Sequence, residues 1–158
     1  MRAKEFLTEL RYRLDQYMKQ MFPTWPDYVV TDMLTKVAKG FTNHAELQDW
    51  IDGIKKDYQV KQWKLETLDI TLGIFTPDSQ RRIKERAGGS LNPYSVPKDA
   101  ERHATQAALI QKQGVSKEPI VVFTRPNGYE LAEGWHRTIQ HLQAFPQGYK
   151  GPAWVGYL

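Results

Sequence analysis

The chain has 158 residues, 41% of them hydrophobic and 25% charged, with a net charge of +4, a composition that suits one globular domain or a small domain plus an appendage. It contains no cysteine, which excludes disulfides, thiolate nucleophiles, cysteine-rich zinc sites and iron–sulfur clusters. Residues 1–60 hold nine Lys and Arg against nine Asp and Glu, so the thirteen against nine of residues 61–158 account for the whole excess, which suits phosphate-bearing ligands and a solvated basic surface equally.

The N-terminus has no uninterrupted apolar core of a secretory signal, and no stretch approaches the roughly 18 apolar residues of a membrane span. The expectation is a soluble, cytoplasmic protein without a membrane partner. Residues 1–60 read as three helices. Phe6, Leu7, Leu10, Leu14, Tyr17, Met18 and Met21 recur at helical spacing. The run Phe22-Pro23-Thr24-Trp25-Pro26 breaks that helix, because proline disfavours a helical predecessor. Pro26 suits the first position of a second helix, with Asp27 beside its positive end. Val29, Val30, Met33, Leu34, Val37 and Ala38 form the expected buried stripe, and Gly40 the stop. Asn43 and Glu46 have the spacing of a capping box ahead of Leu47, Trp50, Ile51 and Ile54. Three short helices suit either a DNA-reading unit or a packing extension. The balanced charge favours the extension.

Residues 65–72 (Leu-Glu-Thr-Leu-Asp-Ile-Thr-Leu) read as a strand, closed at Thr76-Pro77-Asp78 by a turn or helix start. The basic run Arg81-Arg82-Ile83-Lys84-Glu85-Arg86, ended by Gly88-Gly89, is either a solvated helix face or a phosphate-gripping arm, and charge alone favours the former. A helix over roughly 98–113, stopped by Gly114, directs Ala104, Ala107, Ala108 and Leu109 inward and keeps Arg102, Thr105 and Gln106 near an edge. Glu118-Pro119-Ile120-Val121-Val122-Phe123 reads as a buried strand, Arg125-Pro126-Asn127-Gly128 as the hairpin turn with Asn-Gly its strongest signal, and Tyr129 to Ala132 as the returning strand. Residues 138–143 look helical, and residues 152–158 close the chain as a strand.

The junction Glu133-Gly134-Trp135-His136-Arg137 carries the most chemistry. A helix start leaves backbone N–H groups unpaired at a partly positive end, glycine admits close approach to the backbone, and imidazole and guanidinium add donors. That combination makes a phosphate cradle at Gly134, Trp135, His136 and Arg137.

These features, in order, resemble the ParB/sulfiredoxin-like superfamily. Gly114 with Pro119-Ile120-Val121, then Gly128-Tyr129-Glu130-Leu131-Ala132-Glu133-Gly134-Trp135-His136-Arg137, then Pro152-Ala153-Trp154-Val155 are similar to its motifs, and residues 65–72 to its opening strand. The resemblance implies an α+β fold, a small mixed-sheet domain over residues 61–158 preceded by a helical extension over 1–60. It implies nucleotide binding at the turn, as sulfiredoxins bind ATP and ParB proteins CTP, with Arg102 and Thr105 as further phosphate contacts and Gln106 as a weaker one. The absence of cysteine, with Trp135 where sulfiredoxins carry one, excludes sulfiredoxin chemistry. A single Arg137 and no length for DNA-reading and dimerising regions argue against a partition clamp. Glu133 before the glycine and His136 before the arginine fit the kinase-like relatives best. The expectation is therefore an ATP-dependent phosphotransferase or nucleotide hydrolase using ATP or another nucleoside triphosphate with magnesium. Glu133 would be its base or metal ligand, His136 and Arg137 would stabilise phosphate charge, and Asp69 would assist from the opening strand, as a weaker candidate than Glu133. The alternatives are a ParB-like DNA-binding protein or nuclease and a non-catalytic interaction module of phage-like type.

Overall fold

A computed structural model describes the backbone of residues 13–88 and 97–158, and the side chains of 13–88 and 105–158. It divides into two compact units, Met1–Trp63 and Lys64–Leu158.

The described part of the first unit contains three helices: α1 over 13–21, α2 over 27–38 and α3 at His44–Asp57. Pro26 is the cap before α2 rather than its first residue. Asn43 caps α3 by accepting from the amides of Ala45 at 2.8 Å and Glu46 at 3.4 Å, which satisfies donors that a helix start leaves open. The stripe of α2 departs from the sequence expectation. Val37 is 49% exposed, while Thr35 is buried with Val29, Val30, Met33, Leu34 and Ala38. The cause is a π-helical turn over Val30–Leu34. An i→i+5 turn takes an extra residue, so every later position rotates and Thr35 moves inward in place of Val37.

In the second unit a four-stranded sheet has the order β1-β4-β2-β3, with β1 at Gln62–Ile70, β2 at Ile120–Arg125, β3 at Gly128–Glu133 and β4 at Tyr149–Tyr157. The helices are α4 at Pro77–Arg86, α5 at Pro97–Gln113 and α6 at Trp135–Ala144. The fold is α+β with a mixed sheet, since β2 runs antiparallel to β3 and parallel to β4. The opening strand starts and ends earlier than its sequence suggests, and a 3-10 turn at Leu72–Ile74 follows it. Central β2 is buried from Ile120 to Phe123 on both faces, which is why it reads as a continuous apolar run rather than an alternating one. Ile70, Phe75, Ile83, Ile120, Val122, Leu131, Ile139, Ala153 and Val155 form one core.

The hairpin turns where the sequence places it, at Arg125-Pro126-Asn127-Gly128, but not as a type I′ turn. Arg125 pairs with Gly128, so Pro126 and Asn127 are the loop residues. No non-glycine residue among those described has positive φ, whereas a type I′ turn requires it at both central positions. Gly128 instead sits where a β-carbon would lie 2.8 Å from the Ile74 carbonyl oxygen. Close packing of the preceding segment and its own φ of +133° both require the glycine there. On α5, Ala107 is buried but Ala108 and Leu109 are exposed. The helix packs on α6 along another line, with Gln111 Nε2 donating to the Ala144 carbonyl at 2.8 Å.

Candidate functional site

The turn between β3 and α6 is shaped first by a bulge. Val122 pairs with Leu131 but Val121 pairs with Glu133, so Ala132 is an extra residue on β3. Strict alternation would return Glu133 to the buried side of Leu131. The extra residue offsets it by one and leaves it half-buried at the sheet margin.

Gly134 caps α6 with φ +93°, and a β-carbon on it would stand 2.7 Å from Ile120 Cγ2. Both facts demand glycine, so its role is close packing of the turn onto β2 as well as backbone exposure. No side chain caps this helix start, and among the described residues no acceptor meets the amides of Trp135, His136 and Arg137. The intrahelical ladder begins only at the Thr138 amide, 2.9 Å from the Gly134 carbonyl. Three donors are thus available at the positive end of a ten-residue helix. His136 is exposed beside them, and Trp135 is half-buried against the core.

The Arg137 guanidinium turns the other way. Its Nη1 donates to the carbonyls of Glu118 at 3.2 Å and Pro119 at 3.0 Å, and its Nη2 meets Glu118 Oε2 at 2.8 Å. One turn later, buried His141 completes the same clamp. The Ser116 amide donates to His141 Nε2 at 3.0 Å, so Nε2 carries no proton and Nδ1–H donates to the Arg137 carbonyl at 2.8 Å. Burial lowers the His141 pKa below its ordinary value, and the charge of Arg137 acts in the same direction, against the bond to the Arg137 carbonyl, which raises it. The cavity lined by Ser116, Glu118, Arg137, His141 and Tyr149 measures about 10 Å³, room for at most a single water. An arginine that reaches a phosphate must therefore first release Glu118.

Cations also arrive at the turn from α4. Thr76 caps α4 by accepting the Ser79 amide at 3.2 Å, and Pro77 occupies its first turn. The helix is then fastened to β3: the Thr76 amide donates to the Tyr129 carbonyl at 2.9 Å and the Leu131 amide to Ser79 Oγ at 3.1 Å. That places the Arg86 guanidinium 4.4 Å and that of Arg82 6.0 Å from the centre of the Trp135 ring. On the same helix Arg81 pairs with Asp78 at 2.6 Å and Glu85 at 2.8 Å, an exposed network that lowers the Asp78 pKa through its bond to Arg81.

Of the residues singled out in the sequence, Glu133, Gly134, Trp135, His136 and Arg137 stand together by contiguity. Thr105 is exposed on α5, the helix that packs against α6. The side chain of Arg102 lies outside the described residues. Asp69 is exposed on edge strand β1, and Glu133 belongs to the opposite edge strand. Three strand spacings separate those edges, on the order of 14 Å, so the fold does not bring Asp69 to the turn. Sequence reasoning missed Glu118 and His141 as partners of the turn, although His141 lies four residues after Arg137, the spacing of one helix face. Among the described residues no group of three or more His, Asp or Glu is arranged to hold a metal, and no helix is long and apolar enough to cross a membrane. No family model, curated protein or solved structure matches this chain.

Proposed function

We propose that the unit Lys64–Leu158 is a ParB/sulfiredoxin-like domain that binds the phosphates of a nucleoside triphosphate at the first turn of α6 and acts as a kinase-like phosphotransferase or nucleotide hydrolase. The observation that carries this reading is the uncapped start of α6, where the amides of Trp135, His136 and Arg137 have no partner among the described residues and stand beside the exposed imidazole of His136. A polyphosphate satisfies donors that water otherwise serves. The succession of helix α5, strand β2, hairpin, turn, helix α6 and parallel strand β4 agrees with the order the resemblance implies.

In this reading the amides and His136 hold the oxygens on which charge builds during transfer. Glu133, re-aimed by the bulge, accepts the proton of the attacking hydroxyl or water. The described residues offer no multidentate metal site. Magnesium would come with the nucleotide, and were Glu133 its protein ligand it would hold the ion in place of acting as the base.

Thermal melting with ATP, CTP and GTP, each with magnesium, tests the binding step. A nucleotide at about 100 times its dissociation constant adds about 2.7 kcal/mol to stability, a shift of several degrees. Release of inorganic phosphate, lost in Glu133→Gln with binding retained, tests the chemistry. Melting that no nucleotide raises sinks the reading. A response to DNA alone, falling steeply with salt, replaces it with a nucleic-acid function.

A further inference from the structure

Two cations reach Trp135, the first residue of α6, from another helix. Arg86 stands over the Trp135 ring with Arg82 behind it, and α4 holds them there through its bonds to β3. Two guanidinium groups four residues apart on one helix face repel, and little on α4 neutralises them. Asp78 is engaged at 2.6 Å by Arg81 and reaches Arg82 only at 3.7 Å. Glu85 is likewise taken by Arg81. Among the described residues Arg86 meets no carboxylate, and its recorded partner is the indole. A guanidinium lying over an aromatic face is oriented without using its N–H edge, which stays available for a two-pronged contact with an anion. Arg137, the arginine inside the sequence motif, has three of its five N–H donors engaged by Glu118 and Pro119.

We propose that Arg86, supported by Arg82 and aimed by Trp135, is the cation that grips the polyphosphate, and that Arg137 is a positioning residue fastening the segment before β2 to α6. The inference rests on the nucleotide reading above and narrows it: the phosphate chain rather than the base carries the affinity, so inorganic tripolyphosphate occupies the same site.

The test titrates the full chain with magnesium-ATP and with tripolyphosphate. The variants are Arg86→Ala, Arg86→Lys, Arg82→Ala and, as a control that removes one charge from the same helix, Lys84→Ala. Arg86→Ala should weaken both ligands about ten-fold or more, as the loss of a charge-assisted contact does. Arg82→Ala should weaken them less, and Arg86→Lys should fall between wild type and Arg86→Ala, because it keeps the charge and loses the planar fork. Lys84→Ala should leave affinity within about two-fold, the scale of a distant, screened charge. If wild type binds and Arg86→Ala is indistinguishable from Lys84→Ala, the clamp is overturned while the nucleotide reading stands. If wild type binds neither ligand, both fail together.

Discussion

Arg137 and Glu118 close on each other at the start of β2, with Nη2 and Oε2 2.8 Å apart and the second guanidinium nitrogen on two carbonyls. The contacts differ in environment. The carboxylate side chain is 72% exposed and the guanidinium 23%, so water and salt screen the ion pair while the bond to the Pro119 carbonyl is partly sheltered. Glu118→Gln should therefore cost about 0.5 kcal/mol, the worth of an exposed pair. Arg137→Ala should cost about 1–3 kcal/mol, because carbonyls lose a charged donor. Urea denaturation of both variants measures the difference. Equal losses would mean that the ion pair, not the carbonyl bonds, holds the segment.

His141 makes that segment sensitive to acid. Its Nε2 must stay unprotonated to accept the Ser116 amide, and burial lowers its pKa below the 6.5 of an ordinary histidine. Below pH 6.5 the unfolded chain binds a proton that the folded chain refuses, so stability falls with pH. The contribution is complete above 6.5 and is lost as pH drops through that value toward the folded pKa. Melting temperatures between about pH 7.5 and 5.5, the range where histidine titrates, should decline more steeply for the native chain than for His141→Gln. Parallel slopes would show that His141 does not control the response.

The parts of the fold read correctly from sequence are those where one local rule decides. Asn43 ahead of α3 and Gly114 after α5 are caps whose geometry depends on a few adjacent residues. The parts missed depend on distant contacts. The π turn that buries Thr35 instead of Val37 leaves no mark in hydrophobic spacing, and the approach of Ile74 to Gly128 adds a demand for glycine that the turn's own sequence does not show. In the candidate site the contiguous turn 133–137 was legible because a helix start, a glycine and basic side chains are adjacent. The approach of Arg86 to Trp135 was not, because it depends on Ser79 tying α4 to β3 from 52 residues away. The clamp on Arg137 was hidden likewise: Glu118 lies 19 residues earlier, and nothing about that separation marks a contact.

Gly134 and Gly53 offer opposite responses to the same substitution. At Gly134 an alanine meets both a positive φ and Ile120 at 2.7 Å. The left-handed conformation costs roughly 1–2 kcal/mol and the overpacking about 1–3 more, so Gly134→Ala should lose about 2–5 kcal/mol. At Gly53, inside α3, a β-carbon meets nothing within 4 Å. Gly53→Ala should gain about 0.5–1 kcal/mol through helix propensity. Chemical denaturation of the two variants gives both signs, and a tolerated Gly134→Ala would mean that the turn is not pressed against β2.

Thr138 and Tyr149 supply the last prediction. Both hydroxyls are buried, and among the described residues neither has a partner in hydrogen-bond geometry. They lie close enough that the threonine offsets part of the rise by which burial pushes the phenol up to about 12. A buried hydroxyl without a bond bears a desolvation cost and returns little for it. Thr138→Val, which keeps the shape and removes the polar atom, should therefore stabilise the chain by about 1 kcal/mol, and Tyr149→Phe should do so to a similar degree. The double variant decides between proximity and bonding. Changes that add within about 0.5 kcal/mol mean two independent unsatisfied groups, whereas single losses that vanish in the double variant mean that the hydroxyls bond to each other in solution.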